Sequence, residues 1–486
     1  MNNDIKDICS ILWEVEKKYD LMELRINGVN VWPNIRMNLY YDITRKCGIF
    51  EEAHRNKVKY NKLKRVFYII KNSIMNNPFK GDYNKELLIF DHRRKVLIQD
   101  NYIDIYTDNI IKEMEEESVD IIEKDYNGIH HLKSEGNRRY EDSLYLYCIW
   151  DKIFRNVKLL KKDIDLLYSI EKEFRVKLNI EIDLIKMVKN FLVTYNSKVE
   201  YYDRLIKKRR PKAIIVLVGY YRTHLILAAK LNRVKVIELQ HGVISKYHLG
   251  YSYPDYNKKI ECFPDYLLTF GEYWKNVATM PIEKKYIIPY GFPYFNKSSE
   301  KFENTEVVEN QVIFISQGVI GRELSKICLE YAKNNPDKKI IYKLHPGEYA
   351  DWKEKYDELV LAQQGYGVEV ITSSNKNLYE YFAESPYVVG VFSTAIYEAL
   401  AFGCKTILVN LPGIEYMSDL IENNVAKLIN NANELCEVIQ NNSFSKFETE
   451  YFFCKTGDIR NIVNDIIEEE KMNSYEKGGE NNRKYS

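Results

Sequence analysis

The stretch Tyr387–Leu411 limits the fold more than any other. Tyr387–Phe392 is a short apolar run rich in β-branched residues, which reads as a strand buried on both faces. Ser393 and Thr394 follow as N-cap residues, Ile396, Leu400 and Ala401 recur at helical spacing, and Gly403 closes the helix. Thr406–Val409 is a second buried strand. At the helix start, free backbone N–H groups, two hydroxyls and the positive dipole end converge, a combination that cradles phosphate. Glu398, one turn in, is placed to bind a ribose hydroxyl of the same nucleotide. Taken alone, the stretch is equally well explained as an ordinary βαβ unit with a Ser/Thr cap.

The same alternation recurs along the chain. Glu86–Phe90 and Ser118–Ile122 are expected strands, and residues 141–208 carry long helical stripes. Those stripes end in Lys207-Lys208-Arg209-Arg210 before Pro211, cations that suit a helix C-terminus better than a nucleic-acid patch. Then come Ala213–Val218 (strand), Arg222–Leu231 (helix), Val234–Leu239 (strand), Asp265–Thr269 (strand) and Tyr286–Pro289 (strand). Residues 295–310 are polar and aperiodic, the pattern of a linker. The alternation restarts with Val312–Ile315, Lys339–Leu344 and Val368–Ile371, and helices are expected at Glu323–Asn334, Ala350–Leu359 and Leu378–Phe382. Strands alternating with helices imply parallel, doubly wound sheets. The expected organisation is a first α/β domain over 1–294 with helical extensions, the linker 295–310, and a second α/β domain over 311–446. A helix within 447–470 crosses back onto the first domain, and 471–486 form a disordered polar tail.

A chain of 486 residues exceeds one compact core, which fits two or three domains. Lys+Arg 71 against Asp+Glu 70 gives +1, so no global field invites nucleic acid. The eight cysteines form no CxxC pair, which argues against structural zinc or a disulfide framework. MNNDIKDICS carries acids, unlike a signal peptide, and no apolar run reaches the roughly 20 residues of a spanning helix, so a cytoplasmic location is expected. Residues 4–20 read as an amphipathic helix and Asn34–Thr44 as another, with an Asn27-Gly28 turn between. Lys57–Lys71 interleaves cations with Val66, Phe67, Ile69 and Ile70. It suits either a peripheral contact with an anionic membrane or, the plainer expectation, a solvated helix face.

Three places carry chemistry. Lys343-Leu344-His345-Pro346-Gly347 ends a strand, so that His345 enters a crevice where it can hydrogen-bond a phosphate, and Lys343 alternates onto the same face. Leu239-Gln240-His241-Gly242 ends a strand of the other domain, with His241 suited to take a proton from an attacking hydroxyl. Either histidine is as readily a structural residue of its turn. The third place is the phosphate cradle at Ser393 and Thr394, to which Ser316-Gln317-Gly318 adds a similar polar turn. Asp91, in the Asp91-His92-Arg93-Arg94 cluster after the first strand, is a further acid at a sheet edge. Asp163-Ile164-Asp165 has the DxD form, but it lies in a helical stretch where i and i+2 carboxylates diverge.

QHG, KLHPG and FSTAIYEALAFG, in that order over about residues 213–411, resemble bacterial GT-B glycosyltransferases of surface polysaccharide assembly: capsule Kdo transferases, sialyl- and polysialyltransferases and CDP-glycerol glycerophosphotransferases. The resemblance implies a GT-B-like fold, two Rossmann-like domains facing across a cleft, here with an additional helical N-terminal region. It implies donor-phosphate binding by His345, Ser393 and Thr394 and a base at His241. Sialyltransferases take their base from an acidic Asp/Glu-Gly motif that has no clear copy here, so Asp91 stands as a substitute. It further implies a metal-independent transferase with no cofactor, acting on a nucleotide-activated, CMP- or CDP-linked donor and a glycan or lipid-linked glycan acceptor. The alternatives are a nucleotide-sugar epimerase on the same scaffold and a non-catalytic subunit of a polysaccharide assembly complex.

Overall fold

A computed structural model describes residues 4–469 except 51–61, 82–83, 99–100, 127, 135 and 374–375, so the expected tail 471–486 and the start of the basic stretch lie outside the described residues. The first sheet has seven parallel strands: β1 (Leu87–Phe90), β2 (Val119–Glu123), β3 (Arg138–Tyr140), β4 (Ala213–Leu217), β5 (Lys235–Leu239), β6 (Tyr266–Thr269) and β7 (Ile287–Pro289), in the order β7-β6-β5-β4-β1-β2-β3. The second has six: β8 (Gln311–Ile315), β9 (Lys339–Lys343), β10 (Glu369–Ile371), β11 (Tyr387–Gly390), β12 (Lys405–Val409) and β13 (Lys427–Ile429), in the order β10-β9-β8-β11-β12-β13. Each sheet therefore winds outward in both directions from its first and fourth strands, the doubly wound order whose crevice lies outside the strand C-termini at the point of reversal. β1, β4, β8 and β11 are buried along their whole length, which is why continuous apolar runs without polar alternation encode them.

The expected linker is partly a helix. Pro293–Ser299 is helical because Pro293 occupies its first turn and Phe295, 5% exposed, stacks on Phe453 with ring centroids 4.5 Å apart. Phe453 belongs to a strap that leads from the second domain back to the first. Along it Trp274 Nε1 donates to Phe452 O at 2.7 Å, Cys454 N to Phe270 O at 2.8 Å and Gly457 N to Tyr290 O at 2.7 Å. A methyl group on Gly271 would lie 2.6 Å from Tyr451 O and one on Gly291 2.7 Å from Cys454 O, so only glycine lets the strap lie flat on the loops after β6 and β7. The final helix, residues 459–469, then packs Ile459, Val463 and Ile466 beneath the first sheet.

Residues 143–209 form three helices, Ser143–Phe154, Lys161–Leu178 and Leu184–Arg209, and the expected helix at 350–359 is broken into Trp352–Lys355 and Asp357–Tyr366. In Lys161–Leu178, Asp163 is buried and Asp165 exposed, so the DxD carboxylates point apart. The N-terminal helices Ile5–Lys18 and Trp32–Lys46 flank a hairpin that turns at Asn27 (φ 51°) and Gly28 (φ 80°). They are held by Arg36, 1% exposed, which pairs with Glu16 through Nε (2.6 Å) and Nη2 (3.0 Å). The same guanidinium donates to Leu249 O and to Ser252 O (2.9 Å) and lies 4.2 Å from the centre of the Tyr253 ring. Arg36→Ala would leave the Leu249 and Ser252 carbonyls without this donor and Glu16 as a buried carboxylate with only Trp32 Nε1 (2.8 Å) to bond it, and about 3–5 kcal/mol of stability should be lost in urea unfolding. Glu16→Leu/Arg36→Met should recover much of that loss; a single variant as stable as the parent would contradict the pairing.

Candidate active site

The C-terminal ends of the two sheets face one another. A methyl on Gly242, after β5, would sit 3.6 Å from Thr394 Oγ1, at the helix start after β11. Beside this contact opens a cavity of about 1070 Å³ whose wall includes Gln317, Gly318, Arg322 and His345 from the second domain, and His248 and Tyr40 from the first half of the chain. The N-terminal helices reach the second domain here: Tyr40 and Tyr416 hydroxyls lie 2.5 Å apart, and Phe50 stacks on Tyr416.

His345 is fixed by its own turn. Its Nδ1 accepts from Gly347 N at 3.1 Å, and its backbone N donates to Glu348 Oε2 at 2.7 Å, a capping box around Pro346. An Nδ1 that accepts leaves the proton on Nε2, so the ring offers a donor. Burial, helped by the cations of Arg94 and Lys343, holds its pKa below the usual histidine value, so that donor carries no charge of its own. Arg94, from the loop after β1, thus brings a positive charge to the vicinity of His345 from the opposite domain. Glu348, which sequence reasoning passed over, ties the turn together by accepting also from Ser316 Oγ (2.9 Å) and Tyr356 Oη (2.6 Å). Its place three residues after His345 was the available signal.

The remaining second-domain residues divide by what their polar atoms already touch. Ser393 caps the helix Thr394–Ala401, its Oγ accepting from Ala395 N at 3.1 Å. Gln317 lines the cavity, and its buried Oε1 has no hydrogen-bond partner among the described residues, an acceptor open to a ligand. Ser316 is committed to Glu348, and Gly318 lines the cavity wall. The Lys343 ammonium donates to Tyr349 Oη (2.5 Å) and Ser373 O (3.1 Å), because the strand ends there and the chain folds over it. Glu398 accepts from Tyr379 Oη at 3.1 Å, and burial pushes its pKa up to about 7.

In the first domain, Tyr106 Oη donates to His241 O at 2.8 Å, and Tyr251 Oη lies 3.4 Å from His241 Nδ1. Tyr251 donates its proton to Glu238 Oε1 at 2.7 Å, which also accepts from Gly219 N at 2.8 Å. With that proton committed, His241 Nδ1 is the donor to the phenol oxygen and Nε2 is left as an acceptor. Burial, then the neighbouring rings of His92 and His248, push the His241 pKa down to about 3, so the ring is neutral near pH 7. The imidazole that this half contributes to the cavity wall is His248; His241 directly precedes Gly242, the residue that approaches Thr394. Glu238 and Tyr251 carried one sequence signal, a carboxylate inside the apolar β5.

Asp91 belongs to a buried chain of ion pairs. Its side chain is wholly buried between Lys95 Nζ (2.6 Å) and the Arg138 guanidinium. Arg138 continues to Glu123 (2.9 Å), which accepts from His130 Nδ1 (2.9 Å), while His130 Nε2 pairs with Asp142 (2.7 Å). This chain of alternating charges holds β1, β2 and β3 together. Its carboxylates, opposing burial, push the His130 pKa up to about 9.

No protein-family model matches the chain, and a search of curated proteins finds no match. Among solved structures, the chain is similar to the UDP-GlcNAc 2-epimerase from Methanocaldococcus jannaschii, 13% identical over 78% of this chain and 99% of that one, at a TM-score of 0.45. The wall teichoic acid polymerase TagF is 12% identical over 85% and 99%, with a TM-score of 0.41. The spinosyn rhamnosyltransferase SpnG complexed with spinosyn aglycone is 10% identical over 79% and 96%, with a TM-score of 0.40.

Glu238, 1% exposed, has its pKa raised by burial from 4.5 to about 7. A carboxyl raised on folding stabilises fully below the unfolded value and loses that contribution as pH climbs through the folded one. Stability should therefore fall between about pH 4.5 and 7 by about 3 kcal/mol for this group. Glu238→Gln should flatten that part of the profile, leaving the part due to Glu398; an unchanged slope would show Glu238 to be ionised in the fold.

Proposed function

We propose that the chain is a glycosyltransferase that moves a sugar, or a polyol phosphate, from a nucleotide-activated donor to a hydroxyl of a growing cell-surface glycan. The observation that carries this is a pair of neutral imidazoles of opposite polarity on facing strand ends. His345 offers an Nε2–H donor in the cavity wall, and His241, after β5 and one residue before the glycine that approaches Thr394, has an Nε2 acceptor. The cavity exceeds what a single small ligand fills and suits a nucleotide together with the end of an acceptor.

In this reading the acceptor hydroxyl gives its proton to His241 Nε2 as its oxygen bonds to the transferred group, and the bond from that group to the donor phosphate breaks. Tyr251 and Glu238 steady the imidazolium that forms. The leaving phosphate takes the electron pair. Its charge is met by the His345 N–H, the Thr394 hydroxyl, the helix N-terminus and the nearby Arg94 cation, so the step calls on protein groups and no metal. The low pKa of His241 keeps it unprotonated before reaction, and a bound diphosphate would raise its basicity when it is needed. A CMP- or CDP-linked donor follows from the sequence resemblance and is part of the proposal.

A second reading is favoured by one observation. Glu398 is a buried carboxyl with its pKa near 7, close enough to oppose ionisation of Tyr106, which itself bonds His241. A carboxyl tuned to neutrality at a nucleotide-sugar site suits the proton transfers of an epimerase. Incubation with donor alone separates the two, since only an epimerase turns over without an acceptor.

His345→Ala and His241→Ala should both fold, with each losing on the order of 10²–10³ in transfer rate. In a thermal-shift series with CMP, CDP, UDP and GDP, one nucleotide at about 100 times its Kd should add roughly 2.7 kcal/mol to the parent protein. His345→Ala should lose that gain and His241→Ala should keep it. Near-normal turnover in both variants would remove the assignment.

A further inference from the structure

The helix Lys62–Met75 is inside out. Asn72 and Ser73 are buried, Asn72 facing Asp142 and Ser73 bonding Ile69 O, and the helix end is pinned where Tyr140 N donates to Asn76 O at 2.9 Å. Phe67 (70% exposed), Ile70 and Ile74 meanwhile form a bare stripe at i, i+3 and i+7. The neighbouring helix Ser143–Phe154, which packs against it, repeats the pattern with Leu146, Trp150 (64% exposed) and Ile153. Trp150 and Phe154 lie against each other, ring centroids 4.3 Å apart, in the open. An amphipathic helix ordinarily turns this stripe inward, and a contiguous exposed apolar face marks a binding surface.

The charges around the stripe select its partner. The helix Lys62–Met75 has no acidic residue, and Lys64 and Lys71 are exposed on it. On the second helix and just beyond it, Lys152 and Lys158 are exposed, and the one acid, Asp151, is buried and paired with Arg155 at 2.8 Å. Apolar and aromatic side chains framed by free cations, with no exposed carboxylate on either helix, match a surface that is greasy within and anionic at its edge. We infer that these two helices dock the protein on an anionic lipid bilayer, with Phe67, Trp150 and Ile153 entering the interface and the lysines meeting headgroup phosphates. Among the described residues no helix is long and apolar enough to cross a membrane, so the contact is peripheral. The inference does not depend on the proposed reaction.

The full chain is mixed with phosphatidylcholine vesicles with and without phosphatidylglycerol. Sedimentation should carry the protein down with the anionic vesicles, less so as salt is raised. Trp32, Trp274 and Trp352 are buried and Trp13 half-buried, so a blue shift of tryptophan emission on vesicle addition reports Trp150. Phe67→Asp/Ile153→Asp changes two exposed positions and keeps Trp150; it should weaken binding roughly tenfold or more and abolish the blue shift. Failure to bind either vesicle, or equal binding by the variant, overturns the inference. Equal binding to pure phosphatidylcholine overturns its anionic part. A concentration-dependent dimer that the same substitutions dissolve, without vesicle binding, assigns the face to a second copy of the chain instead.

Discussion

A guanidinium with no water around it must find its acceptors within the protein, and Arg36 makes four hydrogen bonds in two places at once. Glu16 takes one side of the fork, and the carbonyls of Leu249 and Ser252 take the other. The loop so held carries His248 to the cavity and Tyr251 to Glu238 and His241. The helical N-terminus is therefore a brace of the cleft, and the loop that brings His248 to the cavity wall is tied to an ion pair between residues 16 and 36. A buried pair of this kind gives little net stability but heavily penalises any arrangement that separates its members, so it fixes one loop conformation.

Charge is partitioned with the same economy. The carboxylates of Asp91 and Glu123 are spent on Lys95, Arg138 and His130, where they bind three strands into one unit. The histidines nearest the cleft are left without carboxylate partners. Burial therefore drives His241 and His345 toward neutrality while it leaves His130, between two carboxylates, a cation. The same imidazole chemistry serves as a structural charge in one place and an uncharged hydrogen-bonding group in the other, decided by what stands within bonding distance.

The sheets were legible in the sequence because strands covered on both faces need unbroken β-branched runs, and β4, β8 and β11 have them. The placement of His241, His345, Ser393 and Thr394 at strand ends was legible for the same reason, since parallel sheets collect their ligands at one edge. What could not be read depended on partners distant in the chain. Asp91 looked like a free acid because Arg138, its partner, lies 47 residues on. Lys343 looked like a ligand because alternation puts it on the face of His345, while the chain after β9 folds over it. The polar tract after Pro293 hid a helix because one residue, Phe295, supplies its anchor. For the basic stretch, membrane contact and a solvated helix face were both open; that Phe67, Ile70 and Ile74 would stay exposed was not legible, because Asn72, which the helix buries together with Ser73, meets a polar partner distant in the chain, Asp142.

The strap across Gly271 and Gly291 has a consequence for biosynthesis. The first sheet is complete by Pro289, yet the helix that covers part of its apolar face begins at residue 459. A nascent chain leaving the ribosome must carry that face uncovered while the whole second domain is made, and can shut it only near termination. The lobe begun first is thus among the last to finish, and in the interval it presents the kind of surface that chaperones hold.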